Sequence, residues 1–134
     1  MSGNISKISF QELQHLKNKE EYIFINFDYF YSIKIMPFFE KIEMKERDSL
    51  IDSFLHLTNT NIRIDDPLGN LHVVILKILV NGEKNLVINT IGLSENSIEF
   101  LTDNLKKILD NFDNRNLIIV EDYSQEPFKF NYSN

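Results

Sequence analysis

Residues 71–91, LHVVILKILVNGEKNLVINTI, constrain the fold of this chain more than any other stretch. Two apolar runs flank Asn81-Gly82, and Asn-Gly between apolar runs is the strongest short-range hairpin signal, because a type I′ turn needs φ > 0 at both central residues. A two-residue turn there sets Val80 opposite Glu83, Ile78 opposite Asn85, Leu76 opposite Val87 and Ile75 opposite Ile88. The first run is apolar on both faces, as expected of a central strand with cover on each side. That cover is helices on both faces, or helices on one and a second protomer on the other.

The remaining elements follow from period and caps. Ser9 with Glu12 forms a capping box, and Ile8 with Leu13 a hydrophobic staple, so a short helix is expected to about Lys19, with Phe10, Leu13 and Leu16 facing inward. Residues 22–35 (YIFINFDYFYSIKI) alternate with period two: Ile23, Ile25, Phe27, Tyr29, Tyr31, Ile33 and Ile35 share one face of a strand. From Asp48, the stripe Leu50, Ile51, Phe54, Leu55 and Leu57 predicts a helix ending near Thr58-Asn59. Residues 61–65 read as a short strand, and Asp66-Pro67-Leu68-Gly69-Asn70 as a turn punctuated by proline and glycine.

Ser94 as N-cap, stapled by Leu93 and Ile98, opens the best-defined helix. Ile98, Leu101, Leu105, Ile108, Leu109 and Phe112 recur along it at helical spacing. Residues 116–120 (NLIIV) are apolar throughout and read as an interior strand. The expected fold is a single α+β domain over residues 1–134, in the order α-β-α-β-β-β-α-β. About five strands form a mainly antiparallel sheet, a meander over 61–91 included, with about three packed helices. Residues 1–7 and 124–134 are expected to be loose.

Chemistry is less legible. The chain has no cysteine, which excludes disulfides, thiolate nucleophiles and thiolate metal sites. His15, His56 and His72 stand at no metal-ligand spacing with one another or with a carboxylate. No glycine-rich phosphate loop, Gly-x-Ser-x-Gly or Ser-x-x-Lys occurs. No catalytic residue, cofactor or metal is therefore expected. No basic-then-apolar leader opens the chain, and the longest apolar run is too short to span a bilayer. The cytoplasm is the expected location.

The net charge is −6 and the pI about 5.0, a balance that disfavours nucleic acid and anionic membranes and favours basic partners. The chain holds no alanine and is rich in Ile, Asn, Phe and Lys, a usage typical of A/T-biased coding and so of a bacterium, phage or mobile element. Paired carboxylates at Asp65-Asp66, Glu121-Asp122 and Asp110 with Asp113 fit turns and strand ends first; if they bind anything, a basic protein surface suits them better than catalysis. Phe24, Asp28 and Phe30 lie opposite the most apolar face of the 22–35 run. They fit a strand buried on both faces first; the alternative is a partly exposed, acid-rimmed aromatic patch of the kind enriched at interface cores.

The expected function is protein binding without catalysis, of the immunity or antitoxin type: a small acidic protein that neutralises a cognate toxin, such as a basic nuclease domain, by direct contact. The candidate contacts are Asp65, Asp66, Glu121, Asp122, Phe24, Asp28 and Phe30. A secretion or assembly chaperone, acting as a homodimer, is the alternative, and an enzyme of unfamiliar type is the third.

Overall fold

The computed structural model describes residues 3–26, 39–90 and 92–121. Its elements are β1 (Asn4–Ile8), α1 (Phe10–Leu13), β2 (Ile23–Asn26), α2 (Met44–Thr58), α3 (Pro67–Val80), β3 (Asn85–Asn89), α4 (Glu95–Leu109) and β4 (Asn116–Val120). The four strands form one sheet in the order β1-β4-β3-β2, and every pairing is parallel. The expected antiparallel five-strand meander is overturned.

The decisive difference is α3. Residues 71–80, expected as the first arm of a hairpin, are helical. The helix is capped by Asp66, whose side chain accepts from the Leu68 backbone N–H at 3.0 Å, and Pro67 takes the first turn, where a missing N–H costs nothing. Leu71 to Leu76 are buried without interruption, and so is Leu79. A helix apolar on all sides is a helix surrounded by protein, and its pattern cannot be told from that of a two-sided strand. Asn81-Gly82 is then a helix stop. The Gly82 N–H donates to the Leu79 carbonyl at 3.0 Å and the Glu83 N–H to the Ile78 carbonyl at 3.3 Å, with Gly82 at φ +98°. This is a Schellman motif, which needs the left-handed backbone that the hairpin also needed.

Other departures follow. Residues 61–65 are not a strand, and Pro67-Leu68-Gly69-Asn70 is the opening of α3 rather than a turn. Gly69 permits this packing: a Cβ there would lie 1.8 Å from the Arg63 carbonyl oxygen, so only glycine lets the 61–66 loop lie on the first turn of α3. Residues 4–7, within the 1–7 segment expected to be loose, pair with β4 together with Ile8. The Ser9–Glu12 box is present in both directions, at 3.0 and 3.1 Å, but the helix it starts ends at Leu13, short of Lys19. Of the 22–35 run, β2 covers 23–26; residues 27–38 and the tail beyond 121 lie outside the described residues.

The topology places the layers. The steps β2 to β3 and β3 to β4 cross the sheet in the same direction, and right-handed crossovers then put α2, α3 and α4 on one face. There they pack on Ile25, Leu86, Ile88, Leu117 and Ile119. The β1-to-β2 connection runs from one edge of the sheet to the other over the opposite face. Leu13, Leu16 and Tyr22 cover Val87, Ile118 and Val120 there. Strands β3 and β4 are thus buried on both sides, which explains their unbroken apolar sequences.

Candidate functional site

Helix α4 carries an exposed row of carboxylates and one exposed aromatic side chain, Phe100. Ser94 caps it, accepting from the Ser97 N–H at 3.1 Å. Its buried stripe, Ile98, Leu101, Leu105, Ile108 and Leu109, turns the rest outward. Glu95, Glu99 and Asp103 recur at i, i+4 and i+8 and are all exposed. Like charges four apart oppose helix formation by a few tenths of a kcal/mol per pair, about 0.2–0.5.

Beyond this ridge, toward β1, lies a cleft of about 260 Å³ lined by Lys7, Glu95, Glu99, Thr102, Asp103, Lys106 and Glu121. The sheet positions its far wall: the Glu121 N–H donates to the Ile8 carbonyl at 3.0 Å, and the Thr90 hydroxyl donates to the Val120 carbonyl at 2.7 Å, fixing the carboxyl ends of β1, β3 and β4. The Lys7 ammonium stands 3.7 Å from the Glu121 carboxylate. Four carboxylates face two ammoniums, so the cleft is acidic. Ligands of open parallel sheets bind at the carboxyl ends of the strands, and this cleft lies there.

On its other flank α4 borders a second cleft, of about 200 Å³, lined by Asn61, Ile62, Arg63, Asp66, Leu68, Gly69 and Phe100. Phe100 is 40% exposed. Beneath it His72, wholly buried in α3, meets the Phe100 ring edge-on at 5.4 Å and the Phe54 ring at 5.3 Å. Its Nδ1 lies 2.7 Å from the Leu68 carbonyl, so Nδ1 carries the proton and donates. Nε2, 3.1 Å from the Asn104 amide nitrogen, is left to accept. Burial pushes the His72 pKa down to about 4, against the smaller opposing pulls of the Leu68 carbonyl and Asp66, so the ring is neutral at pH 7.

A third hollow, a more apolar groove of about 560 Å³, lies between α2 and the ends of α3 and α4, among Leu57, Leu76, Val80 and Phe112 with Asp52 and His56 at its rim.

The expected contact residues divide. Asp65 is exposed and holds Arg63 through two hydrogen bonds, at 2.9 and 3.1 Å. That pairing lowers the carboxyl pKa and raises that of the guanidinium. Asp66 caps α3 and lines the second cleft. Glu121 belongs to the first cleft, so the two acidic turns flank α4 rather than forming one patch. Phe24 is 38% exposed on the edge strand β2, away from both clefts. Asp28, Phe30 and Asp122 lie outside the described residues.

Phe100, the His72–Asn104 pair and the α4 ridge escaped the sequence reading. The ridge was legible, because Glu95, Glu99 and Asp103 fall four apart inside a helix already expected. Among the described residues no group of three or more His, Asp or Glu side chains is placed to hold a metal ion, and no helix is long and apolar enough to cross a membrane. Comparison with known proteins returned no match to a family model, a curated protein or a solved structure.

Proposed function

We propose that this chain is an immunity-type protein that binds and neutralises a basic toxin domain in the cytoplasm without catalysing a reaction, through the acidic side of α4 and Glu121. One observation carries the reading. Glu95, Glu99 and Asp103 form an exposed ridge whose mutual repulsion opposes the helix that displays it, while Glu121, across the cleft, is paired with Lys7. A cationic partner surface turns that repulsion into attraction. It would also gain the long-range steering that speeds encounter between opposite potentials. The overall charge of −6 acts in the same direction.

The test begins with the tagged protein expressed in its native host. Co-purifying proteins are identified by mass spectrometry and then co-expressed with and without this chain. A basic protein whose toxicity this chain relieves is the expected result. Its association rate should fall steeply with salt and fall again in Glu99→Lys/Asp103→Lys. A captured protein that is not toxic, or an association rate indifferent to both salt and charge reversal, sinks the reading.

A further inference from the structure

We propose that the cleft between the 61–66 loop and α4 is the anchor pocket of that interface, and that it receives one arginine or lysine side chain of the protein partner against the face of Phe100. The proposal rests on the reading above and deepens it, since steering by the α4 ridge needs no pocket at all.

Three features make this cleft a receptor for an apolar stem with a cationic head. Its walls divide by chemistry: Ile62, Leu68 and Phe100 offer apolar contact, while the Asp66 carboxylate and the Asn61 amide offer acceptors. Among the described residues Arg63 is the one cation lining it; that guanidinium is hydrogen-bonded by Asp65, outside the cleft, with Asp66 a weaker electrostatic neighbour, so the two carboxylates and one guanidinium leave a net negative charge for a ligand. Asp66 spends one acceptor position on the Leu68 N–H, and a carboxylate has several. The Phe100 ring in the lining completes the fit, because a cation over a phenyl face is attracted by the ring quadrupole.

The second feature is support. Phe100 is exposed yet set on a ring that cannot turn, because His72 is held at both nitrogens, by Leu68 and Asn104. A buried His–Asn pair costs more desolvation than two leucines would, and a satisfied polar pair fixes an orientation that apolar packing leaves looser. An exposed aromatic held in this way loses little conformational entropy on binding, which is what interface anchors require. The third feature is the loop itself. It is brought onto α3 only because position 69 is glycine, so the pocket wall is specified by the sequence.

Benzamidinium chloride serves as the probe, with neutral benzamide and anionic benzoate as its isosteres, followed by amide chemical shifts in two-dimensional NMR. Benzamidinium should give saturable shifts confined to residues 61–69 and 99–101, with benzamide and benzoate roughly ten-fold or more weaker. Phe100→Ala should weaken the probe about ten-fold, and Phe100→Leu, which retains more of the packing, should reduce the preference for the cation to the part that Asp66 supplies. Asp66→Asn keeps an equally good helix cap and should still cost about five-fold. Equal binding of benzamide, shifts centred on the Leu76–Val80 groove, or full affinity in Phe100→Leu each overturn the pocket. The function fails separately. A basic partner that leaves Phe100→Leu no faster than wild type removes the anchor and keeps the immunity reading, whereas that reading falls in the toxicity experiment.

Discussion

Helices α3 and α4 are nearly equal in length, 14 and 15 residues, and pack on the same face of the sheet, yet they differ in what they expose. Around α3 every turn is buried, from Gly69 through Leu76 and again at Leu79. Around α4 one stripe is buried, and the other side carries Glu95, Glu99, Phe100 and Asp103 to solvent. The central helix supplies the core and the outer one the surface, and that division explains both which helix was legible from sequence and where the proposed recognition surface lies.

The comparison breaks most readily at consecutive residues, which on a helix point about 100° apart. In α3, Ile75→Ala and Leu76→Ala should each cost about 2–5 kcal/mol, because both directions end in packed protein. In α4, Leu105→Ala should cost a similar amount, while Lys106→Ala should stay within about 0.5 kcal/mol. Urea midpoints at constant m-value measure all four. A cheap Ile75→Ala or Leu76→Ala would show that α3 is not enclosed.

His72 sharpens the contrast, being a titratable group within the enclosed helix. Its folded pKa is lowered to about 4 from 6.5. Above pH 6.5 the ring is neutral in both folded and unfolded chains and the fold keeps its full stability. As pH falls through 6.5 toward 4 the unfolded chain takes up the proton first, so stability is lost across that window, by about 3 kcal/mol at its end. His72→Gln removes the titration. The difference between the wild-type and variant stability profiles should therefore slope between pH 6.5 and 4 and be flat above. Parallel profiles would mean that His72 reaches water.

Legibility follows the same division. Periodicity reports a boundary between protein and solvent, and α4, α2 and β2 each have one, so their stripes and caps were readable at Ser94, Thr58-Asn59 and Ile23/Ile25. Residues 71–76 have no such boundary. There the deciding signals were local and shared by two structures. Asn-Gly serves a type I′ turn or a helix stop, and Asp66-Pro67 serves a turn or an N-cap followed by N1. A 10-residue, largely apolar segment broken only by His72 and Lys77, behind an Asp-Pro start, favours the helix on length, and that was the discriminating observation. With the hairpin gone, NLVIN and NLIIV could only be parallel interior strands joined through α4. Phe100 was not legible at all, because a lone aromatic beside a buried stripe acquires meaning only when the 61–66 loop and His72 are placed against it.

Gly82 tests the helix stop directly. At φ +98°, with nothing within 4 Å of a Cβ built there, Gly82→Ala meets no clash and should cost only the backbone strain, about 1 kcal/mol. Gly82→Asn should recover part of it, since asparagine tolerates the left-handed region better. A type I′ hairpin would instead lose strand register on the same substitution, visible as exchange of the amides from Leu71 to Val80.

The smallest stability effect belongs to the ridge on α4, and it carries the most about function. Glu99→Lys places a cation four residues from Glu95 and from Asp103, replacing two repulsive pairs with attractive ones. The fold should therefore gain, by about 0.5 kcal/mol or less at low salt, and the gain should fade as salt screens it. Gain of stability with loss of partner association is the signature of charges kept for recognition, because a merely solvating surface gives the first without the second. If Glu99→Lys instead destabilises the protein, the ridge is serving the fold through contacts of its own. The division of labour between the two helices would then be wrong at the point where it matters for binding.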